Sequence, residues 1–458
     1  MRARLVHVLR RPALLAALLL LPMCHLNCPA SDEGLPPPVD GGADDAGGEP
    51  DATPAQDARG DRGTADAGSG EWLVMPGVPE GCAARMARDP AALHPPLSFE
   101  PCPDKPGCRQ LVMDWVADEY GRVAILGFDQ TGWHDGTRGY VVFRRPAPDV
   151  TTPGAYWTIL AADDGEIVAL WSHRFPRDDA TFCYLGRVVV GEGRYVVDVF
   201  NENTYERWIV GGELADPVGT VRLAGVLSEL GADVNFVRAG RDHIAVQTTA
   251  YQVFRLGWDG AVRRIEDASG TPPDADAPTP VGAATVFNSW AASNRILISL
   301  GGAPPEELVP PPEPAAEPSI HATMDGQTLA WLTGITRRGG SPIRFEAVEL
   351  WASPYAERME DLSPVRLGTM NHRSVHGALW AGSGHAAVMD ADSEGETVIR
   401  LFRVSDGFET VLRPPPGLLW TGEIPYIGPR EVVLGAGTQP RAQTAIQFVD
   451  HTALEPAL

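Results

Sequence analysis

The sequence predicts an all-β protein that folds as a β-propeller of about seven four-stranded blades, with six or eight blades as alternatives. Three observations support this. A turn residue followed by a short apolar strand recurs along the chain, and a strand-turn-strand hairpin recurs downstream of it. The 458 residues also include 42 prolines and 49 glycines, which favours strands and turns over helices. The rival architecture is a pair of β-sandwiches.

The repeating unit is clearest between residues 321 and 332. Asp325-Gly326 lies there between two apolar runs. Glycine, and to a lesser degree aspartate, accepts the positive φ that a tight turn requires. The run Thr328–Leu332 that follows has the length of one buried strand. This stretch therefore predicts two antiparallel strands joined at Asp325-Gly326.

The same pattern occurs seven more times between about residues 111 and 450. Successive turn residues are 28 to 58 residues apart, which scatters around the roughly 40–50 residues of one propeller blade. The other turn residues are Gly121, Asp164-Gly165, Gly193, Gly240, Asn294, Gly384 and Gly428.

Two further patterns accompany the turns. The segments 253–260 and 401–407 each contain a strand that ends at an Asp-Gly pair, and a second strand follows. We interpret both as the outer hairpin of a blade. Tryptophans also precede four of the turn residues, where core packing is a better interpretation than ligand stacking. They are Trp115, Trp157, Trp290 and Trp380.

The unit resembles the Asp-Gly-centred repeat of the TolB-like, WD40-like propeller family. Residues 324–331 carry the likeness, and residues 348–353 resemble the strand that follows in that family. Met324 stands where the family has a proline. The resemblance implies the propeller fold, but it implies no activity, because propellers host many unrelated functions.

The N-terminus predicts an export signal within residues 1–30. Basic residues precede an apolar run at 12–23 that is too short to span a bilayer comfortably. We expect Cys24 or Cys28 to be the lipidated first residue of a bacterial lipoprotein, although neither is preceded by the usual small residue. The alternative is ordinary cleavage after Ala30, which would leave no lipid anchor.

Residues 31–71 predict a disordered acidic linker of Asp, Gly, Ala and Pro that cannot bury enough apolar surface to fold. It holds eleven acidic and two basic residues of a chain whose formal charge is −23. Neither the linker nor the rest offers a concentrated Lys/Arg face, which excludes nucleic acid and anionic membrane surfaces as partners. We expect a protein of the periplasm or cell surface, held at the outer membrane only by its lipid.

Four cysteines remain after either cleavage site, which predicts two disulfides with three possible connectivities. They are Cys82, Cys102, Cys108 and Cys183. The bridges would pin an extension at 72–110 to the propeller at 111–452. A metal site at 102–108 is disfavoured because no matching pair of ligands follows.

Two segments interrupt the blade pattern. The proline-rich segments 267–282 and 302–319 are interpreted as long loops on either side of a hairpin at 284–300, and they are the first candidates for a contact surface. Residues 221–230 are the one interior stretch considered for a short helix.

The catalytic signatures are absent from the sequence: no nucleophile elbow, zinc-protease motif or phosphate-binding loop occurs. Asp390, Asp392 and Glu394 begin like a calcium loop, but Leu401 occupies the position of the bidentate glutamate. These three residues are weak metal candidates. The pair His372 and His376 is more typical of a surface than of a metal site.

The sequence therefore favours a non-catalytic cell-envelope propeller that acts as a monomeric scaffold for an envelope protein or a glycan. No catalytic residue, cofactor or metal is assigned. The alternative is a propeller hydrolase or lyase that acts on glycans with carboxylates at the central channel, for which Asp114, Asp118 and Glu119 are candidates. A third possibility is a surface protein with a purely structural role.

Overall fold

The computed structural model divides the chain into residues 1–65 and 66–458, and every residue described below belongs to the second unit. The predicted signal segment, the whole predicted linker and both candidate lipidation sites, Cys24 and Cys28, lie outside the described residues. The structure describes residues 72–75, 77–78, 84–103, 105–111, 132–134, 138–146, 155–174, 183–191, 193–201, 204–289, 295–309, 317–324, 326–334, 337–338, 344–345, 348–370, 379–439 and 442–454.

The described chain begins with four short strands and one helical turn. They are β1 (Trp72–Val74), β2 (Arg85–Ala87), α1 (Pro90–Leu93), β3 (Phe99–Pro101) and β4 (Cys108–Leu111).

Three antiparallel blades follow. Blade 1 contains β5 (Gly132–His134), β6 (Gly139–Pro146), β7 (Ala155–Ala162) and β8 (Ile167–Arg174). Blade 2 contains β9 (Cys183–Gly191), β10 (Arg194–Asn201), β11 (Glu206–Glu213) and β12 (Asp216–Gly225), and a π-helical turn at Val226–Leu230 follows it. Blade 3 contains β13 (Val234–Ala239), β14 (Ile244–Thr248), β15 (Val253–Leu256) and β16 (Val262–Arg264).

Four more blades complete the chain. Blade 4 contains β17 (Ala275–Val281), β18 (Ala284–Ser289), β19 (Arg295–Leu300) and β20 (Glu306–Val309). Blade 5 contains β21 (Glu317–Met324) and β22 (Thr328–Gly334), then a small separate hairpin of β23 (Arg337–Arg338) and β24 (Arg344–Phe345), then β25 (Val348–Pro354) and β26 (Val365–Met370). Blade 6 contains β27 (Leu379–Gly382), β28 (His385–Ala391), β29 (Thr397–Arg403) and β30 (Glu409–Leu412). Blade 7 contains β31 (Leu419–Ile427), β32 (Glu431–Gln439) and β33 (Ala442–Asp450). Two 3-10 turns lie at Met359–Asp361 and His451–Ala453.

The seven sheets form a closed ring, so the fold is a seven-bladed β-propeller. The first strand of each blade contacts the first strand of the next, and β31 of blade 7 contacts β5 of blade 1. We call the four strands of a blade A to D from the channel outwards. The B–C turns and D–A connections then share one face of the disc, here the mouth face, and the A–B and C–D turns share the opposite turn face.

The N-terminal strands join the two blades at which the ring closes. Strand β4 pairs with β33 and supplies the fourth strand of blade 7, while β2 pairs with β8 and extends blade 1 to six strands. Arg109 of β4 also forms a salt bridge of 2.8 Å with Glu431 of β32. The ends of the propeller are therefore held together by backbone pairing.

Apolar side chains fill the wedge between neighbouring blades. Trp171 of blade 1 lies 5.6 Å from Tyr195 of blade 2, measured between ring centroids, and both rings are fully buried. The Tyr195 hydroxyl donates a hydrogen bond of 2.7 Å to the carbonyl of Pro217, which satisfies its polar atom. Each large side chain buried in this way contributes about 1.5–3 kcal/mol.

Five of the eight turn residues of the repeat lie in A–B turns, as the pattern requires. Gly193, Gly326 and Gly384 lie in A–B turns with φ of 80°, 91° and 78°. Gly165 also has a positive φ, but it lies in a C–D turn, and Gly121 and Asn294 lie outside the described residues. Both predicted outer hairpins are confirmed as the C–D hairpins β15–β16 and β29–β30.

The interpretation of the two proline-rich segments as long loops is wrong, because both contain strands. Residues 275–281 form β17, the inner strand of blade 4, and residues 302–319 contain β20 and the start of β21. Proline is tolerated in an edge strand, because one side of an edge strand has no ladder partner. Strand β17 is such an edge strand, since it borders the channel. The helix considered at 221–230 is present only as the π-helical turn Val226–Leu230.

One of the predicted disulfides is present between Cys102 and Cys108. Cys82 lies outside the described residues, and Cys183 begins β9 with a side chain that is not described. The second bridge therefore stays a prediction. Among the described residues, no helix has the length and apolar character needed to cross a membrane.

Candidate functional site

The inner strands are irregular toward the mouth face. In the described part of the chain, the pairing register between the A strand and the B strand shifts in five of the seven blades. Each shift lies in the half of the A strand that is nearer the mouth face. Such bulges leave residues outside the ladder and redirect side chains, and they are common beside binding sites. The shifts lie near Gly186, Asn235, Ala277, Ser319 and Glu423.

Buried polar side chains of one blade hold the backbone of the next blade beside three of these bulges. Arg144 Nη2 donates to the carbonyl of Leu185 at 2.5 Å, and Arg207 Nη1 donates to that of Val234 at 3.4 Å. Gln247 Nε2 donates to the carbonyl of Ala275 at 2.8 Å. A buried carbonyl without a partner costs about 1–3 kcal/mol, so these contacts are structural and fix the shape of the mouth.

The channel wall of blades 2 to 4 carries two arginines. Arg187 of β9 donates to the carbonyl of Asn235 in β13, and Arg238 of β13 donates to the Thr279 hydroxyl in β17. Because each bond joins two neighbouring inner strands, it runs around the channel wall. Asn235 lies at the mouth end of its strand, whereas Arg238 and Thr279 lie near the turn face.

Two tyrosines project from equivalent turns beside this wall. Tyr205 lies in the B–C turn of blade 2 and Tyr251 in that of blade 3, and their residues are 72% and 41% exposed. Both have a left-handed backbone, with φ of 56° and 57°. A bulky residue in this region costs about 1–3 kcal/mol and persists only where the surroundings impose it. Such residues cluster at ligand-binding sites.

Five exposed residues of blades 2 and 3 lie on this face, and we call them the tyrosine rim: Tyr205, Leu227, Asp233, Asn235 and Tyr251. Leu227 lies on the π-helical turn and is 49% exposed. The Asp233 carboxylate is 3.7 Å from Arg207 Nη1, and the Asp233 carbonyl accepts a hydrogen bond of 2.7 Å from Thr249. These contacts tie the two B–C turns to the connection that enters blade 3.

The weak metal candidates do not form a metal centre. Asp390 is fully buried and accepts a 2.8 Å hydrogen bond from Arg400. Asp392 lies in the B–C turn, accepts hydrogen bonds from the backbone of Glu394 and Glu396, and pairs with Arg413. Arg413 holds the pKa of Asp392 below its usual value. No group of three potential ligands is present among the residues that the structure describes.

The sequence-derived candidates for the enzyme alternative are not described by the structure. Asp114, Asp118 and Glu119 lie outside the described residues, as do His372 and His376. The backbone does place other ionisable residues on inner strands, although their side chains are not described. These are His134 in β5, Asp276 in β17, Glu317 and His321 in β21, and Glu423 in β31.

Sequence reasoning missed the tyrosine rim. The available signal was a tyrosine in a polar turn between two strands, at Asn201–Tyr205 and again at Thr248–Tyr251. A positive φ at a tyrosine cannot be foreseen from such a turn, because these positions normally favour glycine or asparagine.

No protein-family model matches the chain, and no curated protein matches its sequence. Solved structures that resemble it include TolB, WD40 and other β-propellers, as the likeness in the repeat predicts. One is TolB from Acinetobacter baumannii, with 14% identity over 61% of this chain and 64% of that chain and a TM-score of 0.34. Another is the WD40 β-propeller domain of Doa1, with 11% identity, coverages of 71% and 95%, and a TM-score of 0.37. An oligogalacturonate lyase in complex with manganese has 12% identity, coverages of 79% and 98%, and a TM-score of 0.45. At these values the likeness concerns the fold alone.

Proposed function

We propose that the protein is an exported, non-catalytic binding module that holds an envelope protein or glycan on the tyrosine rim. The observation that carries this proposal is the pair of exposed, strained tyrosines at equivalent turns of blades 2 and 3. Tyrosine gives a large contact area with few rotatable bonds, and it is enriched in the centres of protein interfaces. The proposed location is the periplasm or cell surface, with a lipid on Cys24 or Cys28.

The rigid scaffold beneath the rim supports the same function. Arg207 fixes the backbone at Val234, and Gln247 fixes it at Ala275. Ala275 in turn donates a backbone hydrogen bond to the carbonyl of Tyr251, and a backbone held in this way lowers the entropy that binding would otherwise cost.

The test replaces both tyrosines by glycine. Glycine adopts a φ near 56° without strain, so the free energy of unfolding of Tyr205→Gly/Tyr251→Gly should change by less than about 1 kcal/mol. Immobilised wild type should retain specific envelope proteins or polysaccharides, and the double variant should retain at least about tenfold less.

A matched control is Met359→Gly/Val365→Gly, which removes two exposed apolar side chains from blade 5. It should retain the same material as wild type. Equal retention by wild type and by the tyrosine variant, measured by quantitative mass spectrometry and sugar analysis, would exclude the rim as the binding surface.

A second candidate function is cleavage of a glycan in the channel. The observation that favours it is the presence of Asp276, Glu317 and Glu423 on three inner strands. Incubation with polygalacturonate and other polysaccharides, followed by measurement of new reducing ends, separates the two functions. Product formed by wild type and lost in Asp276→Asn or Glu423→Gln would establish the enzyme; under our proposal no product forms.

A further inference from the structure

A cleft lies on the turn face, between blades 2 and 3. It has a volume of about 250 Å³ and is bounded by the start of β10, the β11–β12 hairpin and the C–D turn of blade 3. Its polar lining consists of Arg194, Glu213 and Asp216, and its apolar lining includes Val221 and the Trp258 ring.

Glycines shape the floor of this cleft. A Cβ atom on Gly211 would lie 2.8 Å from Leu223 Cδ1 and 3.1 Å from Trp258 Cζ3. A Cβ atom on Gly212 would lie 3.1 Å from the Tyr195 hydroxyl. The absence of a side chain at Gly211 lets the indole of blade 3 approach the sheet of blade 2. Trp258 is also fixed by a hydrogen bond of 3.1 Å from its Nε1 to the carbonyl of Gly240.

Arg194 is the unusual residue of the cleft. Its side chain is only 32% exposed, yet among the described residues it donates no hydrogen bond. Its guanidinium lies 4.8 Å from the centre of the Trp258 ring and 3.7 Å from a Glu213 oxygen, which is beyond hydrogen-bond distance. Arginines of similar or greater burial elsewhere in the described chain do donate hydrogen bonds; they include Arg109, Arg138, Arg207, Arg400 and Arg403.

The two carboxylates of the cleft have the same property. Within the part of the chain that the structure describes, neither Glu213 nor Asp216 accepts a hydrogen bond, and both are exposed to the cleft. The cleft thus presents five N–H donors of one guanidinium and four acceptor oxygens that no described protein group uses.

The charges select the ligand. An anion would meet Glu213 and Asp216, and a cation would meet the Arg194 guanidinium, which already occupies a position over the Trp258 ring. A neutral polyhydroxylated ring avoids both conflicts, because each hydroxyl accepts a hydrogen bond from arginine and donates one to a carboxylate. A volume of about 250 Å³ is below the usual range for drug-sized ligands and suits one ring.

We infer that this cleft binds a single neutral pyranose unit, with its hydroxyls between Arg194 and the two carboxylates and its C–H groups against Val221 and the exposed part of Trp258. The site is independent of the tyrosine rim, which lies on the opposite face. Replacing Tyr205 and Tyr251 should leave it unchanged.

The test is saturation-transfer NMR on the full chain with glucose, galactose, mannose and N-acetylglucosamine. At least one of these sugars should bind with a dissociation constant in the millimolar range, and galacturonate and glucosamine should bind more weakly than their neutral counterparts. Arg194→Met keeps the aliphatic stem on Trp258 and should weaken binding at least about tenfold, because it removes the charged donors. Glu213→Gln should weaken it by a smaller factor.

The matched control is Arg358→Met, which removes an exposed guanidinium (73%) from blade 5. It should bind the sugar as wild type does, and thermal melting of all variants checks that they fold. The inference is wrong if none of the four sugars gives saturation transfer with wild type, if Arg194→Met binds as tightly as Arg358→Met, or if a charged sugar binds more tightly than its neutral counterpart.

Discussion

At the scale of single residues, His243 shows how burial sets chemistry. It lies at the A–B turn of blade 3, is almost fully buried, and its Nε2 is 2.7 Å from the Thr285 hydroxyl of blade 4. Burial, and to a smaller extent the positive charge of Arg255, lowers the pKa of His243 to about 4. The imidazole of His243 is therefore neutral in the folded chain at neutral pH.

Acidification should weaken the protein through this residue. Because the pKa of His243 is lower in the folded chain than in the unfolded chain, the unfolded chain binds more protons between about pH 6.5 and pH 4. Stability is lost as the pH falls through this window, by roughly 3 kcal/mol in total from this residue.

Urea unfolding at several pH values, with His243→Gln as the comparison, checks this. Glutamine keeps a hydrogen-bonding group but does not titrate, so the variant should lose less stability than wild type between pH 7 and pH 4.5. Parallel pH profiles for the two proteins would contradict the prediction.

Such residues could not be identified from the sequence. His243 follows a turn residue of the repeat like any other polar position, and its burial depends on Thr285, which lies on another blade. The exposed tyrosines were missed for the same reason, since a φ of 56° at Tyr205 is imposed by its turn and not by its own preference.

At the scale of elements, a buried Asp–Arg pair joins the B and C strands in blades 2 and 6. In blade 2, fully buried Asp198 accepts two hydrogen bonds from Arg207, one of them 2.7 Å from Nε, and Arg207 then reaches the carbonyl of Val234 in blade 3. In blade 6, Asp390 and Arg400 repeat the pairing, and Arg400 reaches the carbonyl of Thr369 in blade 5. The same chemistry connects two blades in each case.

Breaking one partner of the blade 2 pair should be costly. Asp198→Ala removes the buried partner of Arg207, whose side chain is only 20% exposed and keeps Asp233 at 3.7 Å, and we expect a loss of roughly 3 kcal/mol in unfolding free energy. Asp198→Ala/Arg207→Leu also removes the guanidinium charge and should recover part of this loss. A double-mutant cycle by chemical denaturation measures the coupling, and additive effects of the two changes would rule out the proposed pairing.

The sequence predicts the type of most elements but not all of their boundaries. The hairpin at Gly326 and the outer hairpins at Gly260 and Gly407 follow from turn chemistry, which is local. Strand β17 was interpreted as a loop because it contains Pro278 and Pro280. Those prolines are acceptable only because the strand borders the channel, and this position is a property of the whole ring.

At the scale of the whole molecule, the N-terminal segment completes the ring. Met75, Met86 and Leu111 of this segment are buried, and each such side chain contributes about 1.5–3 kcal/mol. Their sum is comparable with the whole stability of an ordinary domain, about 5–15 kcal/mol.

A chain that begins at residue 112 should therefore lose its cooperative thermal transition and be digested rapidly by protease. A chain that begins at Trp72 lacks only the segment before β1 and should melt as the full chain does. Equal melting temperatures for the two truncated chains, measured by calorimetry, would show that β1–β4 do not hold the ring closed.

The closure of the ring was foreseen only in part. The four cysteines predict that residues 72–110 are pinned to the propeller, and the Cys102–Cys108 bridge lies within that segment. The pairing of β4 with β33 carries no local signal, because any apolar strand could fill the same edge.

This pairing also sets an order of events during synthesis. Lys105 beside β4 and Gln447 of β33 are hydrogen-bonded although 342 positions separate them along the chain. The edge of β4 that pairs with β33 therefore stays unpaired until nearly the entire polypeptide has been made. Contacts this remote form slowly, and a waiting edge is prone to pair with other chains. A newly made molecule is thus most vulnerable to aggregation just before its last hairpin arrives, and a chaperone that shields that edge would act in this interval.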